Sequence, residues 1–177
     1  MRAIRPLVLA LFAGAVVLVA ACGDRTPTGA VPRAPAPDAS LIGDLGGALG
    51  LLKCSQLPYD SVTKTIGYWG GSLQVGPHTL TIPVGALPQS TTITAVIPQG
   101  KGVNAVKFRP EGLQFQRPAY LTMSYGNCSL LGLLLPKHIA YTTDALQILE
   151  YLLSLDDIFT KHVTGQVRHF SDYVVAW

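Results

Sequence analysis

The chain has 177 residues, 49% of them hydrophobic and only 13% charged, with 13 basic and 10 acidic side chains giving a net charge of +3 at pH 7. That length and apolar content suffice for one domain with its own core. So small a charge excess excludes binding to phosphate backbones or anionic lipid by charge alone, and nucleic acid is not an expected partner.

The first residues, MRAIRPLVLALFAGAVVLVAAC, have the form of a secretory leader. Arg2 and Arg5 make a basic start, and Leu7 to Ala21 is an apolar run of 15 residues. That is short of the roughly 20 residues a membrane helix needs, and it ends in small residues suited to cleavage. Val19-Ala20-Ala21-Cys22 resembles the bacterial lipobox, in which the cysteine thiol takes a diacylglyceryl group and becomes the first mature residue. The resemblance implies a signal peptide over 1–21, lipidation at Cys22 and attachment to a membrane of the cell envelope. Gly23 follows the cysteine where an Asp would hold the protein at the inner membrane, so by similarity to enterobacterial sorting the destination is the outer membrane. Loss of Arg2 and Arg5 leaves 11 basic against 10 acidic residues.

Residues 23–40, GDRTPTGAVPRAPAPDAS, bury too little apolar surface to fold, and their prolines keep them extended. At about 3.1 Å per residue they would hold a domain tens of ångströms from a membrane. LIGDLGGALGLLK, 41–53, is apolar but carries four glycines, and is expected to pack on the domain as an irregular or weakly helical lead-in. Residues 22–53 thus form a lipidated tether and lead-in ahead of a domain over 54–177. Cys54 and Cys128 remain as a pair in an oxidising compartment. Joined, they would close a loop of about 75 residues, a stabilisation of roughly 4 kcal/mol in the chain-entropy picture; the alternative is two buried free thiols.

From Cys54 the turn signals come at short intervals: Gly70-Gly71, Gly76-Pro77, Pro98-Gln99-Gly100, Pro110-Glu111-Gly112 and Gly126-Asn127. Between them, Leu80 and Ile82 alternate with Thr79 and Thr81, Ile93, Ala95 and Ile97 with Thr92, Thr94 and Val96, and Leu121, Met123 and Tyr125 share one face. Period-two alternation at this spacing predicts an all-β fold, a single antiparallel β-sandwich. DALQILEYLLSLDDIF, 144–159, fits either an amphipathic helix with Leu146, Leu149 and Leu153 on one face or a strand followed by a turn.

Three separated blocks resemble the ZU-five domain of zonula-occludens scaffolds, netrin receptors and ankyrins. Gly70, Gly71, Ile82, Pro83, Gly85, Ala86, Leu87, Thr92 and Ile93 match its opening. Phe108, Pro110, Gly112, Phe115, Pro118 and Leu121 match its middle, and His169, Phe170, Ser171 and Tyr173 match the HFSxY close of bacterial relatives. The similarity spans roughly 66–177 and implies a β-sandwich, which favours strand over helix at 146–152. In it Pro83 would end a strand and Pro118 would start one. The Leu-rich stretch 126–138 lies outside the matching blocks.

Some eukaryotic relatives cut themselves between Phe and Ser of a similar motif. Carried over, that implies Ser171 as nucleophile, His169 as base and Phe170 as acyl donor. The structural alternative is Phe170 and Tyr173 in the core, Ser171 bonded at a strand bend and His169 at the rim. Other chemistry is thin. Ser61-Val62-Thr63-Lys64 matches S-x-x-K without its partner motifs. His78, His138, His162 and His169 are scattered, with no metal-ligand spacing. Asp156-Asp157 reads as an exposed turn. Neither cofactor nor metal is expected, and the chain reads as a binding or structural module with a protein or other envelope partner.

Overall fold

A computed structural model describes residues 50–129 and 135–177. The leader, Cys22, the Pro-rich tether, positions 41–49 of the lead-in and positions 130–134 of the Leu-rich stretch lie outside the described residues. Eleven strands form two sheets: β1 Asp60–Ile66, β2 Gly71–Val75, β3 His78–Ile82, β4 Thr91–Ile97, β5 Ala105–Arg109, β6 Gln114–Ser124, β7 His138–Thr142, β8 Ile148–Tyr151, β9 Ser154–Asp157, β10 His162–His169 and β11 Asp172–Ala176. Six run in the order β1-β4-β5-β11-β7-β8 and five in the order β2-β3-β6-β10-β9. Every pairing is antiparallel, and the described residues contain no helix. The fold is the β-sandwich that the alternation predicts.

The alternation works because successive side chains of a strand point to opposite faces. Along β4, Ile93, Ala95 and Ile97 are buried, while Thr92 and Thr94 face outward and share hydroxyl hydrogen bonds with Thr65 and Thr63 of β1 at 3.0 and 2.9 Å. Leu80, Ile82, Leu121, Met123 and Val163 close the core from the facing sheet. The Gly70-Gly71 turn is specific to glycine: Gly70 has φ +72, and a Cβ there would lie 2.2 Å from the Ile82 carbonyl oxygen. Pro83 follows the last residue of β3, as expected.

Pro118 departs from its expected place and lies inside β6. Val167 stands opposite Ala119 and His169 opposite Gln114, so residues 115–118 face Arg168 alone. The ladder is interrupted there, and the missing N–H of Pro118 costs no bond. The ambiguous 144–159 stretch is strand, but in two pieces belonging to different sheets. Leu152 N–H bonds to the Ile139 carbonyl of β7 (2.8 Å) and the Leu153 carbonyl accepts from Gln166 of β10 (3.1 Å), so neighbouring residues are held by opposite layers. The helical reading fails because Leu149 and Leu153, meant for its buried face, are exposed.

The end of the lead-in does pack on the domain. Leu52 N–H bonds to Val175 O and Trp177 N–H to Gly50 O. Leu52 joins the main core, and Leu51 a smaller cluster with Ala105, Ala140, Val174 and Ala176. Beside it Cys54 and Cys128 form a disulfide between residues 74 apart in sequence. Ser55 N–H to Asn127 O (2.9 Å) and Ser129 N–H to Lys53 O (2.8 Å) flank that disulfide.

Two outcomes follow for stability. Replacing Cys54 and Cys128 with Ser should lower the unfolding free energy by about 4 kcal/mol, the cost of freeing so long a loop in the unfolded chain, read from urea melts. His78 is fully buried, its Nδ1 accepts the Ser124 N–H at 3.1 Å, and its Nε2 has no hydrogen-bond partner among the described residues. Burial, reinforced by repulsion from His162, pushes it down from 6.5 to about 4. Below pH 6.5 the unfolded chain takes up a proton that the folded chain refuses. Stability should therefore fall between pH 6.5 and 4, by about 3 kcal/mol at this site, and a His78→Gln variant should show a flatter pH dependence in the same melts.

Candidate functional site

The HFS motif occupies a two-residue passage between the two sheets, as short as that from β8 to β9. β10 ends at His169 and β11 begins at Asp172, so Phe170 and Ser171 alone carry the chain across. The backbone is held on both sides. Phe170 N–H donates to Leu113 O (2.8 Å), Gly112 N–H to Phe170 O (3.0 Å) and Phe108 N–H to Ser171 O (3.1 Å). The Tyr173 hydroxyl donates to His169 O.

The Phe170 ring is 1% exposed. It stacks on Phe108 with centroids 5.1 Å apart and meets Phe115 edge-on at 5.0 Å. Phe108 belongs to β5 and Phe115 to β6, so the three rings tie one sheet to the other. His169 is half-buried, edge-on to Tyr141 at 5.0 Å, with Nδ1 3.5 Å from the Phe170 carbonyl oxygen.

Ser171 is buried and lines a cleft of about 240 Å³ together with Arg109, Glu111, Tyr141, Asp144 and Asp172. Self-cleavage needs the base within hydrogen-bond reach of the serine oxygen. Here the imidazole faces the carbonyl instead, and among the described residues no hydrogen bond joins His169 to the Ser171 hydroxyl. None of residues 169–171 has a left-handed backbone.

The cleft holds charges that the motif did not announce. Lys107 of β5 bridges Asp172 (2.5 Å) and Asp144, and Arg109 stands 3.8 Å from both Asp172 and Glu111. Burial opposes the Lys107 charge, yet the hydrogen bonds it donates to the two carboxylates outweigh it and raise the ammonium above its ordinary value. Burial pushes Asp172 up, while the hydrogen bond from Lys107 holds the exposed Asp144 down. Two cations meet three carboxylates, so the cleft offers no surplus positive charge to an anion. Sequence gave no sign of this network, because Lys107, Asp144 and Asp172 converge only through the order of β5, β11 and the end of β7.

Other sequence candidates disperse. Ser61 and Lys64 are three apart on β1, which turns them to opposite sides, and Lys64 Nζ bonds to Ser72 O. Asp156 is not in an exposed turn: it ends an inward-facing set on β9 and accepts from the Tyr125 hydroxyl (2.7 Å) and Lys137 N–H (2.9 Å). Asp157 does shape a turn, accepting from Phe159 N–H, Thr160 N–H and the Thr160 hydroxyl. Among the described residues no three His, Cys, Asp or Glu side chains gather as metal ligands. No family model matches the chain, and no curated protein sequence does.

A wedge and a nucleophile at adjacent positions should respond differently to truncation. Phe170→Ala should cost about 3–5 kcal/mol of folding stability. Ser171→Ala, which removes a hydroxyl with no hydrogen bond among the described residues, should stay within about 1 kcal/mol in the same denaturant melts.

Proposed function

We propose that the protein is a lipid-anchored envelope protein, held at a membrane through Cys22, whose ZU-five-like β-sandwich is a binding or structural module rather than a catalyst. The observation that carries this is the leader and its exit: an apolar run from Leu7 to Ala21, small residues at the cut, then Cys22 and a Pro-rich spacer. The occupied HFS passage supports the second half of the reading. Its phenylalanine is a core wedge, its carbonyls are hydrogen-bonded, and its cleft is lined by charges that satisfy one another. The partner in this reading meets the outer faces or edges of the sheets.

Cells expressing the full chain and fed labelled palmitate should yield a labelled protein in the membrane pellet. Cys22→Ala should lose the label and leave the pellet. A soluble parent protein with residues 1–21 still attached would defeat the anchor. Intact-mass measurement of the same preparation addresses the self-processing alternative, since cleavage between Phe170 and Ser171 would release a C-terminal piece beginning at Ser171.

A further inference from the structure

The two sheets end in four edge strands, and these are finished unequally. Ser61, Thr63 and Thr65 line one exposed face of β1, with Lys64 exposed on the other, and β2 exposes Gly71, Ser72 and Gln74. Polar residues, lysine and glycine are the usual guards of an open edge. β8 and β9, which close the opposite side, carry no lysine and no proline; their charges are Glu150, Asp157 and Asp156, the last turned inward onto Tyr125 and the Lys137 N–H. Leu149, Tyr151, Leu153, Leu155, Ile158 and Phe159 are all exposed along this one short stretch, Leu153 to 74%, Leu155 to 80% and Phe159 to 92%.

At roughly 200 Å² for a fully exposed side chain of this size, Leu153, Leu155, Ile158 and Phe159, at β9 and the turn after it, expose on the order of 600 Å² of apolar surface, while Leu149 and Tyr151 lie on the edge strand of the other sheet. That is the upper end of the largest patch on an ordinary monomer, about 300–600 Å², a size that is often functional. The turn that carries Phe159 is held by the Asp157 carboxylate, which accepts the Phe159 and Thr160 N–H groups.

We infer that this edge joins two copies of the chain, β9 pairing antiparallel with β9 of a second copy about a two-fold axis at Leu155. A strand edge offers peptide N–H and C=O groups as well as apolar side chains. A second strand satisfies both along its whole length, whereas the hydrocarbon of a membrane supplies no hydrogen bonds. The sequence of β9 is compatible with its own inverse. Leu155 meets Leu155 of the second copy, Ser154 meets Asp156, and Leu153 meets Asp157, so no acid stands opposite an acid. Both carboxylates are already bonded within their own chain, and pairing strands no unpartnered charge. The result is a ten-stranded sheet continuous across two molecules, with an isologous interface that closes on itself. The pairing requires no membrane anchor, so it stands or falls apart from the lipid.

The test uses the full-length chain. Leu155→Cys, mildly oxidised in intact cells, should run at twice the monomer mass on non-reducing electrophoresis, while Gln74→Cys on the β2 edge should stay monomeric. Purified parent protein should sediment as a dimer and Leu155→Lys as a folded monomer, with a circular-dichroism spectrum like the parent's; Leu155 is exposed enough to accept lysine. The inference is overturned if Leu155→Cys stays monomeric, if the two cysteine variants crosslink equally, if Leu155→Cys joins a chain of another mass, or if Leu155→Lys leaves the dimer intact.

Discussion

Two residues carry the chain from one sheet to the other near its end, and the side chain between the layers is Phe170. Its ring lies against Phe108 from the six-stranded sheet and Phe115 from the five-stranded sheet, so one apolar contact fixes how the layers face each other. The order of the strands depends on that crossing. β11 runs between β5 and β7 in the middle of its sheet and is buried on both faces, with Tyr173 and Val175 toward the main core and Val174 and Ala176 toward the smaller cluster. A strand in that position can be entered only from a fixed point, and the hydrogen bonds of Phe170 and Ser171 to Leu113, Gly112 and Phe108 supply it.

A second constraint acts at the other side of the domain. The disulfide between Cys54 and Cys128 fastens the chain's entry to the loop after β6, close to where Leu51 and Leu52 lie along β11. Entry segment and final strand are thus neighbours, one crosslinked and the other wedged. The proposed tether would pull on this pinned entry, and the load would pass through the disulfide and β11 rather than through a loose end. Half-buried charged groups are held in the same way. Asp156 holds Tyr125 and the backbone of Lys137, and Lys107 is held between two carboxylates.

Much of this was legible beforehand, and unevenly so. Alternation at Thr92–Ile97 and Thr79–Ile82 reads directly as strand because a half-buried strand writes its two faces into every second residue. Gly70 announced a turn because no other residue has room there. Stretch 144–159 resisted, since leucines at 146, 149 and 153 satisfy a helical period while the chain in fact changes sheets between Leu152 and Leu153. Pro118 misled in a related way: a proline usually bounds a strand, but an interruption in the ladder lets it sit inside one.

What the amino-acid order determined by itself is local: the apolar run from Leu7 to Ala21 and the cysteine after it, the period-two strands, the turns at glycine and proline, and the pair of cysteines. These depend on residues near one another in the chain, and their physics is complete over a few positions. The tertiary structure alone decided that Phe170 is a wedge facing two other rings. It alone decided that Lys107, Asp144 and Asp172 meet beside Ser171, and that the guarded edges are β1 and β2 while the bare one is β8–β9. Those outcomes depend on which strands become neighbours, a choice made by the burial of the whole core and written in no short stretch of sequence.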